Sequence, residues 1–343
     1  MRPNRRDNQT KGSIKMHDQM PAKARGTAAD LDPEVRRFVE LMGASWAQHP
    51  PLGELPVTEA RRVAEQVRAP WTRGGPPMRR TGEYRVPFGD TGIRIRLLDP
   101  TGGGAMPALV YLHGGGWTLF SIDTHDRLMR EYAQRAQVAV VGVDYSLSPE
   151  ERFPRALHET VAVIEWLRAH GPGLGIDRDR IAVGGDSAGA NLSVAAALSL
   201  RDRGLGDMLK GMLLNYGAYD NTCSYPSYRH YGGAGYMLGD DEMRSFWHNY
   251  LGDTGRNDDP LACPLRADLE GLPPAWLTVA ECDVLYGENI AMIERLRGAG
   301  VPVQARTYAG TTHSFLEALS ISAVAGHAMD DGARWLRCLF TRC

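Results

Sequence analysis

The spacing of apolar residues changes several times along this chain, and each change predicts a different element. Between residues 31 and 46, Leu31, Val35, Phe38, Val39, Met42 and Trp46 recur at helical spacing, opened by Asp32, Pro33 and Glu34 as cap and first turn. A second amphipathic stretch covers 57–67 with Thr58 as its N-cap, and Gly74, Gly75, Pro76 and Pro77 then break the chain. Residues 82–87 and 92–98 read as strands around a turn at 89–92, a hairpin or meander. The runs 108–112 and 138–143 are continuously apolar, which suits strands buried on both faces of a parallel sheet. Helical patterns at 126–135, 156–169, 190–201, 287–299 and 323–339 alternate with strands at 181–183, 211–215, 275–279 and 303–308. This βαβα order predicts an α/β fold with a mostly parallel, doubly wound sheet.

One interval resists the pattern. Between Asn215 and Pro274 the chain holds Tyr216, Tyr219, Tyr225, Tyr228, Tyr231, Tyr236, Phe246, Trp247 and Tyr250 among many glycines and prolines. Aromatics at this density either pack an irregular excursion or line an apolar pocket above the strand ends, where open α/β sheets bind ligands. Residues 1–28 are polar and basic without periodicity, and are expected to be disordered. They contain no apolar core of a secretion signal, and either Met16 or Met20 offers an alternative start. The remaining 76–343 is expected to be one catalytic domain, with helical cap segments at 29–75 and about 216–255.

Composition narrows the function classes. With 39 Lys+Arg against 41 Asp+Glu there is no electrostatic footprint for nucleic acid or an anionic membrane. No stretch approaches the ~20 apolar residues of a membrane span. The five cysteines are scattered, with no C-x-x-C pair, which argues against a disulfide framework or zinc site and fits a reducing cytoplasm.

The chemistry concentrates at three places. Gly185-Asp186-Ser187-Ala188-Gly189 follows the strand at 181–183 and opens the helix at 190–201, which fits the G-x-S-x-G nucleophile elbow. A strained strand-to-helix corner needs glycine on both sides of Ser187 and aims its Oγ at the helix start, where free N–H groups favour negative charge. A Gly/Ser turn before an Ala-rich helix would give the same five residues by chance, so the other two places matter. His113-Gly114-Gly115-Gly116-Trp117 follows the strand at 108–112 and frees backbone N–H groups for an oxyanion hole. A phosphate loop is the competing reading, but no G-x-G-x-x-G or Lys-Ser/Thr pattern accompanies it. Beyond Ser187, His230 and His248 fall in the aromatic interval and His327 in the last helix. His313 stands alone in a loop just after a strand, and is the expected base. The strand at 275–279 leads into Glu281-Cys282-Asp283, which makes Asp283 the expected acid and Glu281 its rival.

These motifs together resemble the hormone-sensitive-lipase family of esterases, the bacterial family IV branch of the α/β-hydrolases, in its GDSAG subgroup. Asp144–Glu150, Gly235–Leu238, Phe246–Leu251 and Leu272–Ala275 are similar to that family's stretches as well, and the likeness runs from about Leu31 to the C-terminus. The resemblance implies Ser187 as nucleophile, His313 as base, Asp283 as orienter, and an oxyanion hole from the amides of Gly115, Gly116 and Ala188. It implies a structural role for His113 and a scaffold turn at 144–150. Trp117, Tyr216 and Tyr219 are expected to shape the substrate pocket, and a compact capped site implies a small-molecule ester with a short to medium acyl chain. No cofactor or metal is implied. Dimerisation through the last strand and last helix is the family's habit, hence a homodimer here.

Two departures stand out. The family usually has Gly after its histidine, where this chain has Ser314, and Pro-Leu-Arg-Asp-Glu after its acid, where this chain reads Val284-Leu285-Tyr286-Gly287-Glu288. Rival expectations are an amide, carbamate or lactone hydrolase with the same triad, including a formamidase-like one. A non-catalytic receptor on this fold, of the gibberellin type, is a further rival, though such receptors lack the histidine.

Overall fold

In the computed structural model, residues 30–233, 235–253 and 258–341 are described. The expectations for 1–28 and for the start residue lie outside them.

The chain begins with α1 (Pro33–Trp46) and α2 (Val57–Thr72). Asp32 caps α1, its Oδ1 accepting the amides of Glu34 and Val35 at 2.9 and 3.2 Å, an arrangement that contributes about 1 kcal/mol. Thr58 does not cap α2. That helix starts at Val57 with Pro56 at its N-cap, two residues earlier, so Thr58 sits inside the first turn. Next comes the hairpin β1 (Arg80–Val86) and β2 (Ile93–Asp99), then β3 (Met106–Leu112), α3 (Asp126–Ala136) and β4 (Ala139–Asp144). α4 (Arg155–His170), β5 (Ile176–Asp186), α5 (Ala188–Asp202) and β6 (Met212–Asn215) follow. The aromatic interval contains α6 (Pro226–Tyr231) and α7 (Asp240–Leu251), and the chain closes with β7 (Ala275–Ala280), α8 (Tyr286–Gly298), β8 (Val303–Tyr308) and α9 (Ala323–Thr341).

The eight strands form one sheet in the order β1-β2-β4-β3-β5-β6-β7-β8. β2 pairs antiparallel with β1 and β4, and the pairs from β4 to β8 are parallel. Alternate residues of each strand feed opposite cores, as the period of two demands. Ala108, Val110 and Leu112 of β3 join Val163, Ala195 and Met292 of α4, α5 and α8. Leu109 and Tyr111 join Met129 and Met329 of α3 and α9, together with Val35 of α1 and Val63 of α2. This is the doubly wound α/β-hydrolase arrangement, with helices on both faces. Among the described residues no helix is long and apolar enough to cross a membrane.

The crossovers bring the C-terminal ends of β3, β5, β7 and β8 to one edge of the sheet. The loops that leave those ends carry the motifs singled out above.

Candidate active site

Ser187 stands between β5 and α5 at φ 54°, ψ −117°, a left-handed backbone that a non-glycine residue adopts only under strain. The flanking glycines make the corner possible. A Cβ on Gly185 or Gly189 would press into the Leu112 carbonyl of β3. The corner is pinned by Ser187 N donating to the Asn215 carbonyl at 2.9 Å. Ser187 Oγ does not cap its own helix, so it is available to a neighbour. Ala188 is the first residue of α5, and its amide has no partner within the helix.

The loop after β3 lies beside this corner. Gly115 and Gly116 have φ of 114° and 58°, values open to glycine and hostile to other residues. Thr118 N and Leu119 N fold back on the Gly115 carbonyl at 3.0 and 2.9 Å, turning the glycine segment into a tight bend. His113 is a brace. Its ring stacks on Tyr145 at 4.3 Å, and its Nδ1 donates to the Gly114 carbonyl at 2.7 Å. Burial, together with nearby His125, drops its pKa to about 3, so it stays neutral. Tyr145 Oη donates to the His113 carbonyl at 2.7 Å, and Ser148 N donates to the Trp117 carbonyl at 2.7 Å. The 144–150 turn therefore supports the glycine loop from behind.

His313 arrives on the loop after β8. Its Nδ1 lies 2.8 Å from Asp283 Oδ2 and its Nε2 lies 3.0 Å from Ser187 Oγ. All three side chains are buried. Asp283 Oδ1 also accepts the Leu285 amide at 3.0 Å, which fixes the carboxylate's rotamer. Glu281, the rival acid, points elsewhere. Its Oε2 accepts the Gly310 amide at 2.8 Å and so anchors the loop that carries His313. The turns carrying Asp283 and His313 are joined further by Cys282 N donating to the Thr311 carbonyl at 2.7 Å.

Ser187, His313, Gly115 and Gly116 line a cavity of about 1200 Å³, walled by Trp46 of α1, Ala60 of α2, Phe120, and Phe246 of α7. The pocket expectation for three aromatics needs correcting. Trp117, Tyr216 and Tyr219 are fully buried and do not line this cavity. Trp117 points behind the loop and stacks on Tyr250 at 4.2 Å, which ties α7 to the glycine segment. Tyr216 presents its ring to the His313 imidazole at 5.1 Å, and Tyr219 packs against Gly217. Chain position placed these residues near the site, but their side chains pack into the core. Phe246 takes the wall instead, its ring lying against Gly116.

A second buried group was not anticipated. Asp186, inside the elbow motif, accepts the Tyr111 hydroxyl at 2.7 Å and faces His125 Nε2 at 3.3 Å. Burial opposes its charge, yet His125 and Tyr111 hold the carboxyl below its ordinary pKa. Burial likewise disfavours the His125 cation, and Asp186 more than reverses this, raising its pKa. The pair fixes the underside of the elbow. Only the Asp of the motif itself signals it in the sequence, since Tyr111 and His125 sit on separate elements.

Residues 109–317 match the family described as alpha/beta hydrolase fold. This chain belongs to that family, in its hormone-sensitive-lipase-like esterase branch. It is 36% identical over 269 residues to an acetyl esterase of Salmonella agona (strain SL483), covering 77% of this chain and 82% of that protein. Among solved structures, it is similar to a hyperthermophilic esterase from Pyrobaculum calidifontis, at 32% identity and a TM-score of 0.84 over 90% of this chain and 98% of the other. A thermophilic carboxylesterase cloned from a metagenomic library is also 32% identical, with a TM-score of 0.81 over 84% of this chain and 98% of that one.

Proposed function

We propose that this chain is a serine carboxylesterase cleaving short- to medium-chain acyl esters, with Ser187 as nucleophile, His313 as general base and acid, and Asp283 as orienter. The broader assignment, a carboxylic ester hydrolase, follows from its family and relatives. The observation that carries the finer reading is the hydrogen-bond chain from Asp283 through His313 to Ser187, at 2.8 and 3.0 Å.

Ser187 Oγ attacks the ester carbonyl while His313 Nε2 takes its proton, and Asp283 steadies the imidazolium. The carbonyl oxygen becomes an oxyanion, received by the amides of Gly115, Gly116 and Ala188. His313 returns the proton to the departing alcohol. Water then attacks the acyl-enzyme with His313 again as base, and Ser187 is released with the acid. Two features favour a short acyl group: Phe246 lies directly against the oxyanion loop, and a relative is named for acetyl ester cleavage.

The test is hydrolysis of p-nitrophenyl esters from acetate to palmitate by wild type and Ser187→Ala. Activity peaking at short chains and lost in the variant is the expected result. Activity that survives in Ser187→Ala overturns the mechanism. Cys223 and Cys282 are buried thiols outside any disulfide, which supports a cytoplasmic setting. β8 is an edge strand of the sheet, which supports a homodimer through β8 and α9, and a monomer by light scattering removes that reading.

A further inference from the structure

Three polar side chains in a row on α2 reach the loops that flank Ser187. Arg61, Glu65 and Arg68 stand at i, i+4 and i+7 of the helix, hence along one face. Arg61 Nε donates to the Thr118 carbonyl at 2.8 Å, and its Nη2 to the Ser148 carbonyl at 2.9 Å. The same guanidinium holds both carboxylate oxygens of Glu150, at 2.9 and 2.7 Å. Glu65 accepts the Ser121 hydroxyl at 2.8 Å. Arg68 lies over the Phe120 ring, 4.6 Å from its centroid, and pairs with Glu317.

The targets of these contacts share one property. Thr118, Phe120 and Ser121 continue the loop that begins with Gly115 and Gly116, and the Phe120 ring packs against Gly115. Glu317 lies four residues beyond His313, and its amide donates to the Ser314 carbonyl at 3.0 Å. One helix therefore grips both the loop expected to hold the oxyanion and the loop that carries the base. The Arg68–Glu317 pair, with each side chain only 8% exposed, adds little net stability because desolvation offsets most of the attraction. Its remaining consequence is geometric.

We propose that Arg61 and Arg68 are positioning residues for acyl transfer, and that α2 is a fixed part of the catalytic apparatus rather than a lid that lifts during turnover. The proposal rests on the serine-esterase reading given above. Arg61 has the donors to bridge Thr118, Ser148 and Glu150 at once, which a lysine ammonium cannot reproduce in the same planar geometry. Arg68 touches both loops at once, through the Phe120 ring and the Glu317 carboxylate, so truncating it releases a contact from each.

The experiment uses Arg61→Met, Arg61→Lys, Arg68→Met and Arg68→Lys in the full chain. Active sites are counted with diethyl p-nitrophenyl phosphate. Ser187 Oγ bonds to phosphorus, the bond to p-nitrophenolate breaks, and the serine proton passes to His313. The released nitrophenolate therefore equals the sites competent for attack. Steady-state kcat and KM for p-nitrophenyl acetate are then expressed per titrated site. The expected result is a fall in kcat of ~10–100-fold for both Met variants, with KM within about threefold, as for a misplacement of roughly 1 Å. A trifluoromethyl ketone that places an oxyanion in the hole should lose affinity in step with kcat/KM. Arg61→Lys should recover little of the loss.

Arg61 is partly exposed, so its Met variant tests the proposal even if Arg68→Met fails to fold. A kcat per titrated site within about twofold of wild type for Arg61→Met, with only melting temperature or titratable fraction reduced, overturns the proposal. A wild type that shows neither burst nor turnover overturns the serine-esterase reading instead, and the positioning role falls with it.

Discussion

Phe246 rests its ring against Gly116 so closely that a Cβ on residue 116 would overlap it. A side chain from α7 is thus part of the wall beside the expected oxyanion position, where the acyl group of an ester must lie. Replacing Phe246 with Ala opens that wall without touching Ser187 or His313. The ratio of kcat/KM for p-nitrophenyl octanoate over acetate should rise about tenfold or more, since each accommodated methylene contributes roughly 1 kcal/mol or more. An unchanged chain-length profile removes Phe246 from the acyl pocket.

The two carboxylates of the turn after β7 give a direct test of the acid. Asp283 faces His313 Nδ1 at 2.8 Å, whereas Glu281 accepts the Gly310 amide. Asp283→Asn keeps the shape but favours the wrong imidazole tautomer, and kcat should fall about 10⁴-fold. Glu281→Gln loses a charged acceptor of one backbone bond. It should cost on the order of 1–2 kcal/mol in unfolding free energy while kcat stays within about threefold. Steady-state kinetics and denaturant melts on both variants settle the order, and equal losses of kcat would remove the distinction.

How far the sequence alone carries this picture depends on the element. The parallel sheet was legible because β3 and β4 are apolar on both faces, and α1 because its apolar face and Asp32 cap coincide. β5 reaches five residues further toward the N-terminus than its apolar run, because Asp177–Arg180 carry charge on a projecting end. α6 and α7 were not read as helices, since glycines and prolines interrupt their aromatic stretch. At the site, Ser187, His313 and Asp283 could be chosen from motif and chain order, because each leaves a strand end. Which aromatics face the cavity could not. Trp117 at φ 55° and Tyr216 at φ 36° turn into the core through backbone conformations that no periodicity announces. Long-range partners such as Arg61 with Ser148, or Arg68 with Glu317, need the fold before they can be seen.

Glu288 predicts a pH dependence of stability. It is fully buried, and accepts the amides of Tyr219 and Asp220 at 2.7 and 3.0 Å and the Tyr228 hydroxyl at 2.7 Å. Burial raises its pKa from 4.5 to about 8, against the pull of those donors. A folded-state pKa above the unfolded one means that the fold holds the proton more tightly. The contribution to stability is complete below about pH 4.5 and is lost as pH rises through about 8. Stability should therefore fall by on the order of a few kcal/mol between pH 5 and 8.5, and the melting temperature with it. Thermal melts of Glu288→Gln should lack this slope, even if its overall stability is lower. A slope that persists unchanged in the variant assigns the effect to another group.

The residue after the base offers the last test. Ser314 holds φ 58° and ψ 17°, left-handed backbone that suits glycine, and its side chain is buried at the edge of the cavity. A non-glycine residue in this region costs roughly 1–2 kcal/mol, while glycine adds about 0.5–1 kcal/mol of unfolded-state entropy. The balance favours Ser314→Gly by about 0.5–1 kcal/mol, or a rise of roughly 1–3 °C in melting temperature for a chain of this size. His313 keeps its place because Asp283 and Ser187 hold the ring on both nitrogens. Turnover of p-nitrophenyl acetate should accordingly stay within about twofold of wild type. A lower melting temperature would mean that the Ser314 hydroxyl makes a contact worth more than the backbone strain. A large loss of kcat at unchanged stability would mean that the strain itself aims the base.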